Sequence, residues 1–114
     1  MKYMLIIQEH ETDWAKRNDP ADAPAYWQSW QTFGEIVRKA DPDFSGAALQ
    51  ATDTATTVRA SGIQDGPFAD TREQLGGFFL IDVANLDIAL EIAGKCPAVN
   101  YGAVEVRPIL PMEG

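Results

Sequence analysis

Residues 2–8, Lys2-Tyr3-Met4-Leu5-Ile6-Ile7-Gln8, form a short apolar run free of glycine and proline, and it is apolar on both alternating faces. Tyr3, Leu5 and Ile7 share one face, and Met4 and Ile6 the other. A strand built this way is buried on both sides, under helices or under a partner sheet. Phe78–Val83 is a second strand of the same kind. Any fold for this chain has to cover four apolar strand faces.

The stretches between supply the cover. A helix starts at Asp22 or Ala23, with Pro24 in its first turn, where a missing N–H costs nothing. Tyr26, Trp30, Phe33 and Val37 fall on one face of it. Core packing against the sheet is the expected role of that stripe, and Trp27 lies off its centre. Arg38 and Lys39 suit the last turn, and Asp41-Pro42 ends the helix. Asn85 caps a second helix, carrying Leu86, Ala89, Leu90 and Ala93 and ending near Gly94-Lys95. Short strands are expected at Gly46–Gln50 and Thr56–Ala60, and a last one at Ala103–Ile109. Gln8 to Ala23 reads as a loop. Residues 61–77 read as another, with one capped helical turn at Asp70-Thr71-Arg72-Glu73 that Gly76-Gly77 stops.

The resulting order, β-α-β-β-β-α-β, is an α+β, ferredoxin-like split βαβ pattern in a single domain over residues 1–114. Strands joined through each helix are expected to run parallel. Helices on one face leave Met4, Ile6 and part of Phe78–Val83 exposed on the other, a patch that pairing with a second copy would cover. The expected assembly is a homodimer stacked through its open sheet faces.

Charge and cysteine usage narrow the setting. The formal net charge is −8, with no basic patch, which argues against nucleic acid and against anionic membrane surfaces. A single cysteine, Cys96, rules out an intrachain disulfide and suits a reducing, cytoplasmic compartment. The N-terminal apolar run is too short for a signal peptide, and no segment has the apolar length of a membrane helix.

The chain also carries a long motif, Asp65-Gly66-Pro67-Phe68-Ala69-Asp70-Thr71-Arg72-Glu73-Gln74-Leu75-Gly76-Gly77. It resembles the signature of the DGPF branch of the YCII-related proteins. Thr56-Thr57-Val58-Arg59, Lys95-Cys96-Pro97 and Val104-Glu105-Val106-Arg107-Pro108-Ile109 look like patterns of the same family, as does the opening Met1–Ile7 run. The family's commonest loop has glutamate and lysine where this chain has Asp70 and Arg72. The resemblance implies a dimeric α+β barrel. It also implies kinship with barrel enzymes such as muconolactone isomerases and cofactor-free monooxygenases, some relatives carrying a His-Asp pair. Genes of the family often lie beside extracytoplasmic-function sigma factors, which makes such a factor a candidate partner.

Several residues invite a chemical reading. Asp65 is either the acceptor that stabilises its own turn or a carboxylate at the mouth of the barrel acting as base. His10, with Glu9 or Asp13, is either a solvated loop histidine or a proton-shuttling group. Arg59 and Arg107 either grip an anionic ligand or belong to a glutamate–arginine network with Glu105. Phe68 is expected to plug the loop into the core, with ligand stacking as the alternative. Arg72 and Glu73 are further loop contacts for a ligand. Cys96, at a helix C-terminus, is structural. One histidine and one cysteine cannot build an ordinary zinc site, no phosphate-binding glycine motif is present, and no cofactor is expected. The leading reading is a dimeric small-molecule domain, catalytic or not, with its pocket between sheet and DGPF loop. The alternative is a non-catalytic regulatory protein acting on a partner.

Overall fold

The computed structural model describes residues 1–112. Strand β1 (Lys2–His10) leads into a short helix α1 (Glu11–Ala15) and a long helix α2 (Ala23–Ala40). Strands β2 (Ser45–Ala48), β3 (Thr56–Arg59), β4 (Gly62–Asp65) and β5 (Glu73–Asp82) follow. Helix α3 (Leu86–Ala93) and strand β6 (Ala103–Pro108) complete the chain, and one-turn 3-10 helices lie at Thr52–Thr54 and Pro97–Asn100.

Four strands make an antiparallel sheet in the order β2-β5-β1-β6, while β3 and β4 pair as a separate hairpin. β1 lies between β5 and β6, antiparallel to both, and β5 is antiparallel to β2. The strands joined through α2 therefore run parallel with β5 between them, and β5 and β6 run parallel with β1 between them. This is a mixed α+β domain consistent with a ferredoxin-like arrangement.

Tyr3, Leu5 and Ile7 of β1 face the helices and are fully buried with Phe33, Val37, Ile81, Ala89 and Ile92. Phe33 stacks edge-on against Phe79, centroids 5.2 Å apart, and against Trp30 at 6.1 Å. The expected stripe on α2 thus packs on the sheet. Asn85 caps α3 by accepting from the Ile88 N–H at 3.0 Å. On the sheet's other face, Met4 and Ile6 lie opposite Leu80 and Phe78, and all four are only half-buried.

Three expectations need correction. The stretch from Gln8 to Ala23 is not one loop: β1 continues to His10, and α1 follows at once. The His10 side chain accepts from the Thr12 N–H and caps α1, and Trp14 is the helix's one large buried anchor. A five-residue helix with a single large apolar anchor shows no periodicity to read. The loop at 61–77 contains a strand, β4, turned back on β3 through Ala60-Ser61 with Val58 opposite Ile63. Gly62 and Gly66, at φ +142° and +105°, hold backbone conformations that bear a side chain poorly. The helical turn at Asp70–Glu73 does not form, because the backbone of Glu73 already pairs with His10 at the start of β5. Gly76-Gly77 lies inside β5 rather than ending a helix.

Among the described residues no helix is long and apolar enough to cross a membrane. Truncating the aromatic hub, Phe33→Ala, is expected to lower the unfolding free energy by about 3–5 kcal/mol. Denaturant titration of the two chains measures it.

Candidate functional site

The alternation that buries Tyr3, Leu5 and Ile7 places Glu9 on the same face, and its side chain is 1% exposed. A carboxylate taken from water needs hydrogen bonds where it ends up. Glu9 obtains them from Tyr26 on α2, whose hydroxyl lies 2.9 Å from each carboxylate oxygen. Arg17, in the turn after α1, donates from Nε to the Tyr26 oxygen at 3.0 Å and holds Nη2 3.6 Å from Glu9 Oε2. The donors thus run in one direction, from guanidinium to phenol to carboxylate.

The backbone beside Glu9 is shaped for it. Between Ile7 and Gln8 the register with β5 slips, so that Ile7 opposes Gly77 and Gln8 opposes Leu75. Gly76 is the extra residue of a β-bulge, a device that bends a strand and frees its backbone groups. The Gly76 carbonyl accepts from Arg17 Nη2 at 3.3 Å and from the Leu49 N–H at 2.9 Å. A Cβ at this position would sit 3.2 Å from Glu9 Cδ and 3.3 Å from the Trp14 ring, so glycine is what lets the carboxylate in.

Glu9 lines a cavity of about 240 Å³ between α2 and the β2–β5 edge. Trp27, Trp30, Phe44 and Phe79 provide aromatic walls, and Gly46, Ala47, Ala48, Gly76 and Gly77 a low backbone floor. The result is an apolar slot with Glu9, Tyr26 and Arg17 as its polar components. Trp14 Nε1, Trp30 Nε1 and the Tyr101 hydroxyl are buried with no hydrogen-bond partner among the described residues.

Burial raises the Glu9 pKa above the ordinary 4.5, outweighing the opposing pull of Tyr26 and Arg17. Burial likewise pushes Tyr26 up to about 12, so the phenol stays neutral and can donate at physiological pH. Tyr101 is raised by burial and by the nearby Glu9 charge. The Cys96 thiol, pushed up to about 12 by burial, is an inert core group.

The residues singled out by sequence fall elsewhere. Asp65 is exposed at the end of β4, opposite Thr56. His10 spends Nδ1 on Thr12, at 3.2 Å from its N–H and 3.0 Å from its hydroxyl. Its two suggested partners go their own ways, Glu9 to Tyr26 and Asp13 to Lys16 at 3.1 Å. Phe68 does not plug the core: it is 78% exposed, with the Arg59 guanidinium 5.2 Å from its ring. Arg107 pairs with Glu105 at 3.0 Å, both exposed, and Arg72 is exposed in the loop before β5. The DGPF loop does border a groove, of about 830 Å³, lined by Phe68 and Glu73 together with Gln8, Gln74 and the threonines of 52–57. Asp65, His10, Arg59, Arg72 and Arg107 do not line it. Among the described residues no cluster of three or more His, Cys, Asp or Glu could hold a metal ion.

The signal that would have found Glu9 is its place two residues beyond Ile7 in the alternation of β1, but read from sequence that strand ends at Gln8 and Gly76 is a helix stop. Arg17 and Tyr26 carried no such mark, since their meeting depends on how α1 and α2 dock.

Glu9→Gln gives a pH signature. A carboxyl whose pKa rises on folding binds its proton more tightly when folded, so its contribution to stability falls as pH rises from 4.5 through the folded value. The stability of Glu9→Gln relative to wild type is therefore expected to improve as pH rises across that window. Denaturant midpoints taken from pH 4 to 8 test this, and a constant difference would refute it.

An uncharacterised protein of Rhizobium meliloti (strain 1021) is 48% identical to this chain over 69 residues, a match spanning 55% of this chain and 56% of that protein. The model of the YCII-related domain matches residues 1–113. By that match, across a fold and a buried polar site now described, the chain belongs to the YCII-related domain family.

Proposed function

We propose that this chain is a homodimeric small-molecule-binding domain of the DGPF branch, whose ligand lies in the aromatic-walled slot above Glu9. The observation that carries this reading is the Glu9 carboxylate, buried among aromatic rings at the polar end of an apolar cavity. A pocket of this size, mostly apolar with a few convergent polar groups, is what small ligands use. It takes a planar molecule of one or two rings with a hydrogen-bond donor at its polar end. The raised Glu9 pKa suits that carboxyl to exchange a proton with the ligand, without a cofactor. The slot is separate from the groove beside the DGPF loop, and the Leu49–Gly76 backbone bond runs along the slot's edge.

Filling the slot from the exposed edge strand, Ala48→Leu, is expected to weaken ring-compound binding tenfold or more while leaving the fold intact. Tryptophan fluorescence titration with a panel of planar ring compounds reads it. Equal binding by Ala48→Leu and wild type would place the ligand elsewhere.

The shape of the chain supports the dimer. Its surface is 7681 Å², whereas a compact monomer of this mass exposes about 6,200 Å². The difference, about 1,500 Å², exceeds the roughly 800 Å² each partner buries in a standard interface. The radius of gyration, 15.4 Å, is likewise above the roughly 13 Å of a compact domain of 114 residues. Met4, Ile6, Phe78 and Leu80 on the open sheet face, and the paired Val58 and Ile63 on the hairpin, are the apolar surface such a partner would cover. A single buried cysteine suits a cytoplasmic setting. Ile6→Lys is expected to weaken self-association at least tenfold in sedimentation equilibrium; an unchanged dimer would exclude this face.

A further inference from the structure

The polar end of the slot is occupied by the chain's own cation, and its surroundings have a recognisable chemistry. The Arg17 guanidinium lies 3.7 Å from the centre of the Trp14 ring, 5.4 Å from Trp27 and 5.7 Å from Tyr26. Cations within about 6 Å of an aromatic ring are attracted by its face, and such enclosures recognise guanidinium and methylated ammonium groups. Everything else that Arg17 touches with its nitrogens is an acceptor: the Tyr26 hydroxyl oxygen, the carbonyls of Leu49 and Gly76, and the Glu9 carboxylate. Glu9 and Tyr26 are buried and come from β1 and α2, while Arg17 enters from a turn.

Arg17 is also a partition. It lines the slot and, together with Trp27 and Ala48, a neighbouring groove of about 640 Å³ that includes Trp14, Leu49 and Thr54. With its side chain swung outward, the groove would open onto Glu9. A chain of net charge −8 favours cations over anions as ligands.

We infer that the cage of Trp14, Tyr26 and Trp27 closed by Glu9 is an organic-cation site, held by Arg17 until a ligand with a guanidinium or methylated-ammonium head displaces it. This rests on the reading of Glu9 as the polar end of the ligand slot, and makes the ligand's donor-bearing end a cation. The swing of Arg17 needs no covalent step. It reduces the apparent affinity of the wild type by the fraction of time the cage is open.

The test uses the full chain and ethylguanidinium as probe. Arg17→Ala is expected to melt below the wild type, and millimolar ethylguanidinium chloride to raise its melting temperature saturably, where sodium chloride at equal ionic strength does not. The wild type is expected to bind the probe about tenfold more weakly than Arg17→Ala. Adding Glu9→Gln to Arg17→Ala is expected to weaken the rescue by about tenfold, because the charged acceptor is gone. A response of Arg17→Ala equal to that with sodium chloride overturns the inference, as does equal rescue with and without the carboxylate. Arg17→Met, which keeps most of the stem volume, replaces Arg17→Ala if the latter does not fold. If neither folds, the probe is titrated onto wild type and read on the indole N–H resonances of Trp14 and Trp27, and unmoved resonances overturn the inference. Ring-compound binding that persists without cation rescue removes the cation head alone; loss of both removes the slot as the ligand site.

Discussion

A carboxylate carried into the interior on a central strand sets the terms for everything around it. Glu9 lies on the helix-facing side of β1, where its neighbours Leu5 and Ile7 are fully buried. The desolvation cost of a lone carboxylate there would be several kcal/mol, which only hydrogen bonds and a nearby cation offset. Tyr26 and Arg17 provide them, and to do so α2 must present its first turns to the end of β1 while α1 turns the chain back over it. The bulge at Gly76 follows from the same need, because any side chain there would press on Glu9 and Trp14. Through Leu49 and Gly76, Arg17 also ties the segment after β2 to β5. Groups distant in sequence are thus held together by one buried charge.

The sheet is asymmetric, and its two faces serve different ends. The helix side is a close-packed core at the Phe33 end and opens into the aromatic slot at the Glu9 end. The slot exists because β2 is short and made of small residues, Ser45-Gly46-Ala47-Ala48, so the rings of α2 stand over backbone instead of side chains. The opposite face carries Met4, Ile6, Phe78 and Leu80 with no second layer among the described residues. The flattened outline, 43 × 39 × 20 Å, reflects that missing layer and the hairpin β3–β4 lying off the main sheet. Burying the slot's polar end has a further consequence, since desolvation holds the Glu9 carboxyl above its ordinary pKa beside a phenol that stays neutral.

The two-sided alternation of β1, the aromatic stripe at Tyr26, Trp30, Phe33 and Val37, and the Asn85 cap were determined by local sequence, because each is a periodicity or a cap that acts over a few residues. From these followed the α+β class and the parallel relation of the helix-linked strands. The long DGPF motif identified the family but drew the eye to Asp65, Phe68, Arg59 and Arg72, which the fold leaves on the surface. The buried site escaped that reading, because ending the first strand at Gln8 leaves Glu9 outside its alternation, and Gly76 reads as a helix stop although it lies within β5. What only the tertiary structure decided is which partners Glu9 meets. Arg17 and Tyr26 look like ordinary loop and helix residues until α1 and α2 dock, since a buried ion pair is specified by the meeting of segments rather than by the composition of any one of them.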